Sequence, residues 1–287
     1  MRKMLAPLMA RLGERMARSP IGPLGRHVAA SELGALLGYV AQRVLGQYDL
    51  LVPDGDAESG GGGAVHRDAV YYVGPNVLAL EKRFAFRPRD FRTWIAVHEV
   101  THRAQFTAVP WMRDHFLGLV GRSLELVDPD PRSLVRALRH AVEQLAAGRN
   151  PLDDGGLLGL FASAEQRELM SEVQALMSLL EGHGNYVMSE LGGRHVHGEE
   201  RMARVLQARR NRGGLSGQVQ KALGLELKLR QYETGERFVR AVVAEAGPGA
   251  LDEIWRSPSS LPTFAELDDP GAWAARCVRT RSAAGAR

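Results

Sequence analysis

The run His98-Glu99-Val100-Thr101-His102 carries the densest chemistry in the sequence. On a helix, residues four apart share one face, so His98 and His102 can aim two ring nitrogens at one point. Glu99 follows His98 by about 100° of helical rotation and falls beside that point. Two histidines on Zn²⁺ with an adjacent carboxylate base are the parts that split an acyl bond with water. The flanks predict a helix over residues 90–106. Pro88 stops a helix arriving from upstream, Asp90 suits a helix start, and Phe91, Trp94, Ile95 and Phe106 supply an apolar pattern.

A catalytic zinc takes three protein ligands and keeps one position open, so a third ligand must come from elsewhere in the chain. Between residues 169 and 188, Met170, Val173, Met177, Leu180, Gly184 and Met188 form one apolar face, and Glu181 falls within it. A carboxylate turned toward a core is costly unless it is paired, hydrogen-bonded or on a metal. Glu181 is the expected third ligand, and a salt bridge to an arginine is the other use of the same side chain. His183 points to a different face if the helix persists through Gly182 and Gly184. It stands as the alternative ligand, or as a neutral donor to the oxyanion. Asn185, one turn after Glu181, suits a hydrogen bond to a ligand. Lys228 and Tyr232 are four apart and offer electrophilic donors, against a plain reading as a solvated lysine and a core-edge tyrosine.

The other histidines read as bystanders. His195 and His197 sit in a Gly-rich, charged neighbourhood, while His66, His115 and His140 lack partners at useful spacing. The residues after His102, Arg103-Ala104-Gln105-Phe106-Thr107-Ala108, carry neither the Gly nor the third His of the metzincins. A distant Glu ligand is instead the arrangement of gluzincins such as thermolysin, although Asn185 stands where those enzymes often have Asp.

These residues must be held by a fold, and the pattern predicts a mainly α-helical one. Helical stretches are expected at 1–20, 31–51, 112–127, 131–147, 163–189, 198–210 and 216–246. Ser163-Ala164-Glu165-Gln166 has capping-box spacing. Residues 53–68, with Gly60 to Gly63, read as a surface loop, since no Gly-Lys-Ser/Thr accompanies the glycines. The β-rich stretches 69–73 and 77–80 flank Gly74-Pro75-Asn76 and predict a short hairpin before the motif helix, whose exposed edge could pair with an extended peptide. Pro258, Pro262 and Pro270 predict an extended strap that ends in a short helix near Trp273. The chain is expected to form a single domain over 1–287, with lobes at 1–110 and 111–287.

With 45% apolar and 24% charged residues the chain is globular rather than disordered. One cysteine, Cys277, excludes an intrachain disulfide framework and thiolates as the main metal ligands, and it fits a reducing compartment. The formal charge of +4 leaves acidic residues almost as numerous as basic ones, and the Arg-rich run 201–212 lacks interleaved aromatics. No nucleic-acid partner is expected. Residues 1–20 form an amphipathic pattern rather than a signal peptide, and no run reaches the roughly 18–20 uncharged apolar residues of a membrane span. A cytoplasmic protein without a membrane partner is the plain expectation.

Four blocks also resemble a known family: Leu45-Gly46-Gln47-Tyr48-Asp49, the stretch 94–106, Leu180-Glu181-Gly182-His183, and the stretch 225–232. They resemble zincin-like proteins of actinobacteria described as zinc-dependent metalloproteases or hydrolases, some labelled as associated with deazaflavin-coenzyme biosynthesis. The resemblance runs from about Pro20 to Trp273. It implies a zincin-like fold, His98, His102 and Glu181 as ligands, and Glu99 as the catalytic carboxylate. The expectation is a zinc metallopeptidase acting on a peptide or protein. Its rivals are a catalytically silent zincin-fold interaction module and a hydrolase of small-molecule amides or esters.

Overall fold

A computed structural model describes residues 38, 41–48, 50, 69–125, 163–211 and 225–285. The expected helices at 1–20 and 131–147 and the loop at 53–68 lie outside the described residues; the helix expected over 31–51 does not hold at its end, where Gly46–Tyr48 form a strand. The chain divides into two compact units, Met1–Arg103 and Ala104–Arg287.

In the first unit, β1 (Gly46–Tyr48) pairs antiparallel with β2 (Val70–Tyr72), with Gly46 opposite Tyr72 and Tyr48 opposite Val70. An antiparallel two-stranded ribbon therefore precedes the motif helix, in a mainly helical fold. Its strands differ from those expected. Residues 77–80 belong to helix α1 (Gly74–Phe84), and Gly74-Pro75-Asn76 forms the first turn of that helix. Pro75 is preset for a helix start, where its missing N–H costs nothing. The Asn76 side chain donates to Ala41 O at 2.8 Å and Val44 O at 2.7 Å, which ties the helix start to the segment before β1. Val77, Leu80 and Glu81 are the buried residues of α1, a helical stripe that so short an apolar run could not reveal.

Helix α1 ends at Ala85, which takes the left-handed conformation at φ 49°. Helix α2 (Pro88–Thr107) starts on a proline and carries Asp90 in its first turn, where a carboxylate complements the helix dipole. The aromatic rings of Phe84, Phe86, Phe91 and Trp94 follow one another at centroid distances of 5.7, 4.8 and 6.3 Å and bind α1 to α2. Arg92 adds two hydrogen bonds to the buried Glu81 carboxylate, at 2.7 and 2.9 Å.

The second unit is helical among its described residues: α3 (Met112–Glu125), α4 (Ala164–His195), α5 (Glu199–Asn211), α6 (Leu225–Ala246), α7 (Leu251–Ile254) and α8 (Pro270–Gly285). The predicted capping box opens α4. Gln166 N donates to Ser163 Oγ at 3.1 Å, and Ser163 N donates to Gln166 Oε1 at 2.6 Å. Helices α4 and α6 touch backbone to backbone. A Cβ on Gly182 would strike Gly235 C and Glu236 N, and one on Gly235 would strike Ser178 O.

Two apolar clusters flank this crossing. Leu179, Phe238, Val239, Ile254, Leu267 and Trp273 form one. Met112, Leu119, Leu169, Leu176 and Leu180 form the core of the other. The proline-rich segment is not the extended strap expected: Pro258–Ser260 form a 3-10 turn, residues 264–267 turn again, and α8 at its end runs 16 residues rather than a short helix. Trp273 Nε1 donates to Ser260 O at 2.8 Å, and Arg276 holds Glu266 through two bonds, at 2.7 and 2.8 Å. Among the described residues no helix is long and apolar enough to cross a membrane.

Candidate metal centre

Helix α2 is unbroken through the motif, and the spacing acts as the sequence predicts. His98 Nε2 and His102 Nε2 face each other at 3.1 Å, with the rings edge to face at 4.5 Å. Two Zn–N bonds of about 2.0–2.1 Å at a tetrahedral angle separate their nitrogens by roughly 3.3–3.4 Å, so the pair fits a shared ion. Both histidines are half-buried. Thr101 Oγ1 returns a bond to Val97 O at 2.7 Å, so the hydroxyl between the histidines is used within the helix.

Glu99 is buried, at 6% exposure. The β1 backbone at Gly46 lies directly against it, because a Cβ there would stand 2.5 Å from Glu99 Oε1. Tyr72, opposite Gly46 in the ribbon, has its phenol pushed up from the ordinary 10.0 by burial and then by the Glu99 charge. Tyr72 therefore stays a neutral hydroxyl donor at physiological pH.

In the second unit, the last turn of α2 meets α4 through Gln105. Its buried amide donates from Nε2 to Leu180 O at 2.9 Å and lies 3.0 Å from His183 Nδ1. A carbonyl can only accept, so the Leu180 bond fixes which amide atom is nitrogen. Its second N–H then goes to Nδ1, which makes His183 a neutral imidazole with its proton on Nε2. The ring also stands edge-on to Trp255 at 5.2 Å.

Glu181 sits on α4 between Leu180 and Gly182 and is half-buried, as is Asn185 one turn later. Among the described residues, His98, His102 and Glu181 make up the group of side chains that could hold a metal ion. Tyr232 lies on α6, but its side chain and that of Lys228 fall outside the described residues. His195 and His197 are exposed, as expected. His115 packs edge to face with Trp111 at 5.7 Å, and burial lowers its ring below the ordinary value. His66 and His140 lie outside the described residues.

Sequence reasoning missed Gly46, Tyr72 and Gln105. Gln105 had a visible signal, since it follows His102 by three residues and shares its face. Gly46 fell within a block that resembles the family but nothing there pointed to Glu99, and Tyr72 had no signal, because their relation to Glu99 is made by the ribbon.

A long helix bearing two zinc-spaced histidines and a buried glutamate between them defines a zincin-type metal centre. The chain belongs to the zincin-like metallopeptidase family, which it matches over residues 1–274. It is also similar to a crystal structure from Chloroflexus aurantiacus, provisionally described as a hydrolase with a novel fold. The two share 32% identity and a TM-score of 0.59, over 98% of this chain and 78% of the other. No curated protein matches the chain.

Proposed function

We propose that this protein is a zinc-dependent peptidase, with His98, His102 and Glu181 as ligands and Glu99 as general acid and base. The observation that carries the reading is the facing pair of Nε2 atoms on α2, with the Glu99 carboxylate one residue from His98. Membership of a metallopeptidase family supports it. Two imidazoles and a carboxylate suit zinc in charge and softness. Zinc held there supplies the Lewis acidity that activates water and polarises a carbonyl.

The chain's own residues do the rest. Glu99, held against β1, accepts the proton of the attacking water and delivers it to the departing amine. Its burial keeps bulk water from competing for that proton. His183 carries its proton on Nε2, the form needed for a neutral donor to a developing oxyanion. The substrate is a peptide or protein, and the single cysteine suits work in the cytoplasm.

Metal analysis of purified variants tests the assignment. Glu99→Gln is expected to keep zinc and lose peptide cleavage by about 10²-fold or more. His98→Ala is expected to lose zinc. Wild-type protein that binds no zinc, or a Glu99→Gln variant with undiminished cleavage, would overturn it.

A further inference from the structure

The turn joining α1 to α2 gathers positive charge at an exposed corner of the unit Met1–Arg103. Lys82 and Arg83 lie in the last turn of α1, Arg87 precedes Pro88, and Arg89 lies in the first turn of α2; all four are exposed. We propose that this corner is an exosite that holds an acidic segment of the substrate, roughly four or five residues from the scissile bond. The proposal rests on the peptidase reading for its occupant.

The acids of this unit leave those charges unanswered. Among the described residues they are Glu81, Asp90 and Glu99. Glu81 is 4% exposed and accepts both bonds of Arg92, while Glu99 is 6% exposed and lies against Gly46. Asp90, next in sequence to Arg89, is half-buried. Lys82, Arg83, Arg87 and Arg89 take part in no ion pair among the described residues. The surface at this corner is therefore one-sided in charge.

Two of these cations work against the helix that carries them. Lys82 and Arg83 complement the negative end of the α1 dipole, which is reason enough for their place. Arg87 and Arg89 sit at the positive end of α2, where a cation is unfavourable and an acid is preferred. Like charges crowded on one turn also repel one another. A cluster of carboxylates relieves both costs, and guanidinium forks grip carboxylates through paired hydrogen bonds. Arg83 stacks over the Phe84 ring, 5.5 Å from its centroid, which restrains its fork at the corner. A nucleic-acid strand engages about six to ten cations, more than this corner holds.

One helix carries both the corner and the motif. Arg89 precedes His98 by nine residues on an unbroken α2, so the two stand about 14 Å apart along its axis. An extended peptide covers that distance in roughly four or five residues of about 3.3 Å each. Thr93, Ala96 and Val100 follow Arg89 at helical spacing, so one face of α2 leads from the corner to the motif.

The test uses full-length, zinc-loaded protein carrying Glu99→Gln, so that peptides bind without being cleaved. Three blocked peptides share one central sequence. They carry a run of Glu about five residues before the centre, the same run about five residues after it, or Gln at all those positions. One Glu peptide is expected to bind at least about tenfold more tightly than the Gln peptide in about 50 mM salt, an advantage that shrinks in about 0.5 M salt. Adding Arg87→Glu and Arg89→Glu should bring that peptide down to the affinity of the Gln peptide with zinc content unchanged. The same two exchanges suit the α2 dipole, so the thermal midpoint should stay level or rise. Equal affinities, no binding, an advantage that survives the double exchange, or a thymidine oligonucleotide that binds as tightly as the Glu peptide overturns the proposal. If the Glu preference is present but zinc-loaded wild type cleaves none of the peptides, the exosite stands and the peptidase reading falls.

Discussion

Gly46 is the surface on which Glu99 rests: a Cβ at position 46 would come within 2.5–2.6 Å of three atoms of the glutamate side chain. A strand glycine thus sets the position of the carboxylate proposed to move the proton. Gly46→Ala must displace Glu99, whereas both histidines stay on an unaltered helix. The expected outcome is zinc content near wild type with turnover reduced by about 10²-fold, since a displacement of about 1 Å is costly in proton transfer. Wild-type turnover in Gly46→Ala would show that the strand does not position the base.

Gln105 serves two acceptors with one amide, Leu180 O and His183 Nδ1. Gln105→Leu keeps the bulk but leaves both without that donor in a buried setting. The expected loss is about 2–4 kcal/mol, read from urea denaturation at unchanged slope. Nitrogen NMR of wild type should report the His183 proton on Nε2, and the variant should lose this fixed tautomer. A wild-type ring protonated on Nδ1 would contradict the arrangement.

The α4–α6 crossing predicts opposite effects for the same substitution. Gly235→Ala drives a methyl into the Ser178 carbonyl, which is backbone and cannot swing aside. It should destabilise the protein by about 3 kcal/mol or more. Gly193, also on α4, has nothing within 4 Å of an added Cβ. Gly193→Ala should stabilise by about 0.5–1 kcal/mol through helix propensity. Thermal melts of the two variants compare them directly.

Glu266 gives the proline-rich segment a dependence on acid. Burial pushes its carboxyl up, but bonds from Arg276 and Thr263 and the Arg276 charge outweigh this and hold it below the usual 4.5. A carboxyl depressed in the folded state stabilises above its unfolded value and loses that contribution as pH falls through the folded one. The stability gap between wild type and Glu266→Gln should be full at neutral pH and close as pH falls from the usual 4.5 through the lower folded value. A gap unchanged across that range would sink this account.

The sequence disclosed what repeats locally. The spacing of His98 and His102 and the apolar pattern of 90–106 marked α2, and Ser163 with Gln166 marked the start of α4. The run 77–80 misled because four apolar residues fit a strand or a helix equally, and it lies in a helix whose Asn76 reaches back to Ala41 and Val44. The Gln105 bond to Leu180 spans 75 residues, and no periodicity announces such a contact. The same holds for Gly46 against Glu99, where one strand residue meets a helix far along the chain.

Tyr72, Leu78 and Val100 of the first unit stand about half in water, whereas Glu99 is 6% exposed. Substitutions at such exposed positions change stability little. The surface around the motif helix can therefore be rewritten by single exchanges that the buried carboxylate would not survive.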